Sequence, residues 1–144
     1  MTRQENSALN TIDFVKKNKS KFEILFRLHS RKEQSKCILQ LGCTDAVSAL
    51  QASEVFVKDV AAIDINMGCP KHYSVSQGMG SALQGRPEVA EDILKTLRRN
   101  LTIPVSVKTR LVGVGNTGVD LPASVEWLRR LQASGACAIA LHAR

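Results

Sequence analysis

The segment Gly68-Cys69-Pro70 places a thiol on a constrained turn, because Pro70 fixes its own φ and restricts the residue before it. An ordinary thiol, with a pKa near ~8.5, is mostly protonated at neutral pH and can act as a general acid. With its pKa lowered it could equally be a nucleophile. The alternative for any cysteine is that of a small buried hydrophobe, which is what Cys37 and Cys137 are expected to be inside their apolar runs. Cys69 differs from both, since it follows a strand end and lies among polar residues. Just downstream, Gly78-Met79-Gly80 supplies a flexible loop able to close over a ligand.

Further polar groups gather at equivalent places. Four short apolar runs, at 37–41, 61–65, 103–107 and 137–141, carry Gln40, Asp64 with Asn66, Lys108-Thr109-Arg110 and His142-Ala143-Arg144 at or just beyond their C-terminal ends. Ligands of parallel α/β proteins bind at that end of the strands. Period-two alternation puts Ser106, Lys108 and Arg110 on one side of their strand, and His142 with Arg144 on one side of theirs. A single histidine or glutamine is commonly a hydrogen-bonded structural residue, and a strand-end lysine commonly reaches solvent. Convergence of four successive strand ends is what makes Gln40, Lys108 and His142 a candidate group together with Cys69.

The elements that must position these residues alternate. Each apolar run is bounded by breakers, as buried parallel strands are. Between the runs lie three amphipathic helices. Thr44 or Asp45 can cap the first, whose stripe is Ala46, Ala49, Leu50, Val57 and Val60. Pro87 opens the second, with Val89, Ile93 and Leu97 on its apolar face beside Ala90 and Leu94. The third begins near Asp120 with Pro122 in its first turn and runs through Val125, Leu128 and Leu131, with Trp127 as a packing residue. Gly135 stands where a left-handed C-terminal cap is needed. Repetition of strand, helix and strand demands right-handed parallel crossovers, which a doubly wound sheet and a TIM barrel both satisfy. Before residue 37 the pattern predicts a strand at 22–28 and a helix at 7–17.

Composition narrows the class. The chain has 144 residues, 44% of them hydrophobic and 23% charged, which is globular composition and enough for one domain. No apolar run approaches the ~20 residues of a membrane span, and the polar start lacks a secretory signal pattern. The four cysteines include no C-x-x-C pair, which argues against a metal site and fits a reducing compartment. Twenty Lys and Arg against 13 Asp and Glu give a formal charge of +7, favouring a polyanionic partner such as nucleic acid. Part of that excess is the run Lys16-Lys17-Asn18-Lys19-Ser20-Lys21, expected to be a solvated connector.

Ile63-Asp64-Ile65-Asn66-Met67-Gly68-Cys69-Pro70-Lys71, followed by Gly78-Met79-Gly80-Ser81-Ala82-Leu83, resembles the signature of tRNA-dihydrouridine synthases. The similarity is greatest to the eukaryotic type acting on the D-loop of cytoplasmic tRNA. Leu39-Gln40-Leu41-Gly42, Val105-Ser106-Val107-Lys108-Thr109-Arg110 and Ala140-Leu141-His142-Ala143-Arg144 match in the family's order, so the resemblance spans about residues 10–144. It implies an α/β fold that is part of a TIM (β/α)8 barrel, roughly its third to sixth strands with their helices. It implies an FMN-dependent, NADPH-using reduction of a tRNA uridine to 5,6-dihydrouridine, in the cytoplasm. Hydride then comes from the reduced flavin to C6, and Cys69 donates the proton to C5. Gln40, Lys108 and His142 would hold the isoalloxazine, while Asn66 and Arg110, with Arg144 as a further candidate, would contact the uracil. The loop at 111–118, Leu111-Val112-Gly113-Val114-Gly115-Asn116-Thr117-Gly118, departs from the family in its glycine content.

A whole barrel of this kind runs to about 250 residues, with its phosphate site after strands seven and eight. The chain is therefore expected to be a barrel truncated at both ends, with unpaired sheet edges and poor FMN binding by itself. Two other readings compete. One is another FMN barrel reducing a free pyrimidine, which the positive charge and the cysteine motif disfavour. The other is a non-catalytic RNA- or partner-binding fragment.

Overall fold

A computed structural model describes residues 1–19, 21–113 and 118–143. Two sheets make up the fold. Strands β1 (Thr2–Asn6), β2 (Thr11–Asn18) and β3 (Lys21–His29) form an antiparallel sheet in that order. Strands β4 (Ile38–Leu41), β5 (Ala62–Met67), β6 (Val105–Arg110) and β7 (Ile139–His142) form a parallel sheet, also in chain order. Helix α1 (Ala46–Phe56) joins β4 to β5. A short helix α2 (His72–Val75), a 3-10 segment (Gly80–Gly85) and α3 (Pro87–Asn100) join β5 to β6, and α4 (Leu121–Ala133) joins β6 to β7. The order of the parallel strands never reverses, whereas doubly wound sheets reverse at a switch point after shorter runs. Such an order is consistent with part of a barrel.

Alternation divides the parallel sheet into two faces. Ile63, Ile65, Met67, Val105 and Val107 are fully buried and share one core with Phe56 of α1, Ile93, Leu94 and Leu97 of α3, and Trp127 and Leu131 of α4. The opposite face carries Gln40, Asp64, Asn66, Ser106, Lys108, Arg110 and His142, aligned across the strands by register. Gln40 lies beside Asp64, Asp64 beside Ser106, Asn66 beside Lys108, and Arg110 beside His142.

The helices follow the expected signals. Asp45 is the N-cap of α1, its carboxylate accepting the Ser48 N–H at 2.8 Å, and Asp120 caps α4 through the Ala123 N–H at 2.9 Å. Gly135, just past α4, has φ +102° and lies where a Cβ would stand 2.8 Å from Cγ of Arg98, so glycine is needed twice over. The buried stripes differ in detail. Helix α1 stops at Phe56, so Ser53 and Phe56 supply its last buried turn and Val60 is buried from the following segment. Val125 is exposed and Trp127 takes its place in the core.

Residues 7–17 do not form a helix. They make a turn and then β2, whose Ile12, Asp13, Phe14 and Val15 are all buried. The pairing steps from Phe14 opposite Phe26 to Val15 opposite Ile24, leaving Leu25 as an extra residue on β3. Four buried residues in succession on β2 lack the strict alternation by which a strand is recognised. The strand predicted at 22–28 is present as β3. Phe14 stacks on Phe56 with ring centroids 4.1 Å apart, and Arg3 grips the fully buried Asp59 through Nε at 2.6 Å and Nη2 at 2.8 Å. These contacts fasten the N-terminal sheet to the far end of α1. Lys16, Lys17, Asn18, Lys19 and Lys21 are solvated as expected, but they lie at or beside the ends of β2 and β3 rather than in a connector; Ser20 lies outside the described residues.

Cys37 is half-buried and packs against the core, whereas Cys137 departs from expectation and is exposed; Cys43 is buried. Burial pushes the Cys43 thiol up to about 12, with Asp45 adding to the effect.

Candidate active site

The parallel strands run further toward their C-terminal ends than the apolar runs suggest, so Asn66, Lys108, Arg110 and His142 belong to the strands themselves. Beyond β5 the chain turns sharply, and Asn66 makes the turn. Its Oδ1 accepts the backbone N–H of Gly68 at 3.1 Å and of Cys69 at 2.9 Å. Gly68 permits the turn to lie against β6, since a Cβ there would meet the Thr109 carbonyl carbon at 3.2 Å. The carbonyl of Cys69 accepts the Ser81 N–H at 3.0 Å, which ties the loop to the 3-10 segment.

Cys69 sits between two cavities. The first, about 210 Å³, is lined by Asn66, Gly68, Cys69, Pro70, Lys108, Thr109, Arg110 and His142. The second, about 330 Å³, is lined by Asn66 and Cys69 again, with Gly42, Tyr73, Ser74, Met79 and Gly80. A third hollow of about 550 Å³ covers the adjacent sheet face, where Gln40, Asp64, Ser106 and Lys108 stand over a floor that includes Ala62, Ala138 and Ala140. The structure thus gathers Cys69, Asn66, Lys108, Arg110 and His142 around one cavity and puts Gln40 in the hollow that shares Lys108. Arg144 and residues 114–117 of the glycine-rich loop lie outside the described residues.

Around Cys69 the electrostatics favour the thiolate. Ser74 donates a hydrogen bond to its Sγ at 3.4 Å, and this bond, followed by the Lys71 backbone N–H, lowers the thiol pKa; the charges of Lys71 and Arg110 act in the same direction. Replacing Ser74 by alanine should therefore raise that pKa. Site-resolved iodoacetamide labelling, read on the Cys69 peptide as a function of pH, should show the midpoint moving upward, with Cys43 unlabelled as an internal control. An unmoved midpoint would show that the hydroxyl does not act on the sulfur.

Several supporting residues carry no local signal in the sequence. Thr109, fully buried, accepts from the Trp127 indole N–H at 2.9 Å and donates to the Met67 carbonyl at 3.3 Å, bracing the end of β5. Gln84 reaches from the 3-10 segment to the Arg110 carbonyl at 2.7 Å. Trp127 is a packing residue, as expected, and a hydrogen-bond donor as well. Arg110 has a buried Nε with no partner among the described residues, an orphaned donor beside the first cavity. No group of three His, Cys, Asp or Glu that could hold a metal ion occurs among the described residues, and no helix there is long and apolar enough to cross a membrane.

The family profile described as dihydrouridine synthase (Dus) matches residues 2–144. The chain belongs to the dihydrouridine synthase family. A tRNA-dihydrouridine(20) synthase of Saccharomyces cerevisiae, designated NAD(P)+, is 38% identical over 149 residues, covering 99% of this chain and 37% of that protein. Its counterpart in Schizosaccharomyces pombe is 38% identical over 146 residues, covering 99% of this chain and 29% of that protein. A probable tRNA-dihydrouridine synthase 1 of Synechocystis is 36% identical over 113 residues, with 78% of this chain and 31% of that protein covered. The chain thus spans only 29–37% of the length of these relatives. Against the dihydrouridine synthase background, the Asn66–Pro70 turn is the feature that concentrates the site.

Proposed function

We propose that the chain is part of the catalytic barrel of a tRNA-dihydrouridine synthase, roughly its third to sixth strands, and that the site around Cys69 serves reduction of a D-loop uridine to 5,6-dihydrouridine. The observation that carries this reading is the single cavity shared by Cys69, Lys108, Arg110 and His142 at the C-terminal mouth of the parallel strands. No side chain delivers hydride; a flavin mononucleotide, with NADPH as reductant, would supply it when bound. The residues present fit such a group. Lys108, His142 and Gln40 offer donors along one face, in and beside the cavity that Cys69 lines.

The chain's own contribution is proton transfer and binding. Cys69 in its protonated form donates to C5 of the uracil and becomes a thiolate. The Ser74 hydroxyl and the Lys71 N–H stabilise that thiolate, so the acid is stronger than an unassisted thiol. Asn66 and Arg110 orient the uracil. The uridine must leave the tRNA stack to reach a recessed site, and the surplus of Lys and Arg holds the phosphate backbone.

The test compares the 144-residue chain with a version completed to the relatives' length, for bound flavin and for dihydrouridine formed in tRNA and from free uracil. The reading expects flavin and tRNA product in the completed protein. Reduction of free uracil with no product in tRNA would move the assignment to a free-pyrimidine reductase. A colourless, folded, completed protein that shifts tRNA would make it an RNA-binding relative without catalysis. Strands β4 and β7 each pair on one side only, so poor flavin retention is expected of the 144-residue chain.

A further inference from the structure

We infer that Asp64 is a positioning residue: its carboxylate sets the direction of a hydrogen-bond chain, Asp64 to Gln40 to Asn66, that ends on the backbone of Cys69. The importance given to its last member rests on the function proposed above; the relay itself rests on geometry. Asp64 is buried on the inner face of β5, and its two oxygens accept from Gln40 Nε2 and from Ser106 Oγ, each at 2.7 Å. A carboxylate offers only acceptors, so Gln40 must turn its amide nitrogen toward Asp64. Its Oε1 then points to Asn66, whose Nδ2 donates to it at 2.9 Å. With its nitrogen so used, Asn66 has Oδ1 left for the loop, and that oxygen accepts the N–H of Gly68 and of Cys69.

The two amide side chains could each be turned end for end in isolation. Here the relay begins at a group that only accepts and ends at backbone amides that only donate, so both amides have one orientation that satisfies every link. Three elements far apart in sequence thereby define one geometry: β4 supplies Gln40, β5 supplies Asp64 and Asn66, and β6 supplies Ser106. Gln40 and Asn66 each keep one N–H outside the relay. Asp64 therefore also decides which polar atoms these residues show to a ligand. The relay is anchored at the buried Asp64 and passes through the exposed Gln40, and a broken link frees the members beyond it.

The measurement is amide hydrogen exchange, residue by residue, in the 144-residue chain. Gln40→Met interrupts the relay at an exposed position and avoids altering a buried charge. It should speed exchange at Gly68 and Cys69 about five-fold, in line with the loss of one hydrogen bond's net stabilisation, while Leu94 and Val107 stay as they were. Asp64→Leu should do the same. Asp64→Asn should rescue, because its oxygen can still face Gln40 while its nitrogen donates to the Ser106 hydroxyl. Combining Asp64→Leu with Gln40→Met should add little to either change alone, since both cut one chain. Unchanged exchange at Gly68 and Cys69 in Gln40→Met would overturn the inference, as would equal effects of Asp64→Asn and Asp64→Leu. If the relay behaves as stated but a completed protein carrying Cys69→Ala forms dihydrouridine at full rate, the proposed function fails and the relay stands.

Discussion

A protein completed to the relatives' length and carrying Cys69→Ala should bind flavin as its parent does and form dihydrouridine about 10²–10⁴-fold more slowly, the usual contribution of a positioned general acid. Binding should survive because the flavin-facing candidates, Gln40, Lys108 and His142, stand on other strands, and the turn is held by backbone and Asn66 contacts that do not involve the thiol. The pH profile carries the same information with a definite sign. A proton donor works while protonated, so its rate falls as pH rises through its pKa. The neighbours of Cys69 lower that pKa, first of all the Ser74 hydroxyl, so the alkaline limb should lie below the ordinary thiol value of about 8.5. Ser74→Ala should move the limb upward. Full turnover by the alanine variant at Cys69, measured as dihydrouridine per tRNA, would remove the thiol from the chemistry.

Gly80→Ala should be nearly as damaging, although residue 80 contributes no functional group. Gly80 has φ +62°, a left-handed conformation that alanine adopts only under strain, at roughly 1–3 kcal/mol. A Cβ there would also lie 2.5 Å from the carbonyl oxygen of Cys69 and 2.9 Å from its Cβ. One of the two segments must move, and the Cys69 turn is held on its other side by Asn66. A displacement near 1 Å at a reacting group can cost about 10²-fold in rate. The expected result is a lowered melting temperature with a fall in kcat of that order. Gly85→Ala is the matched control in the same 3-10 segment, since a Cβ at Gly85 meets nothing within 4 Å. If Gly80→Ala and Gly85→Ala were alike in melting temperature and kcat, the close approach at Gly80 would have no mechanistic weight.

Much of this site was legible locally. Strand ends marked by Gln40, Asn66, Lys108 and His142, the caps at Asp45 and Asp120, and the turn at Cys69-Pro70 are all signals written within a few residues. Helices α3 and α4 could be placed for the same reason. The first sheet was less readable. Ile12, Asp13, Phe14 and Val15 are buried in succession, and such a run shows neither a strand's nor a helix's period. Cys137 looked interior because it begins an apolar run, yet it is exposed.

From residue 37 onward the sequence alone determined the alternation of parallel strands with the three longer helices, and the set of chemically able residues at one end of the strands. Caps, turns and periodicity arise from contacts over fewer than about five positions. Tertiary structure decided which of those residues touch. The Ser106–Asp64 link spans 42 positions and the Gln40–Asp64 link 24. Both exist only because helical crossovers bring the strands into a particular register, and register is a property of packed layers that no short stretch of chain contains.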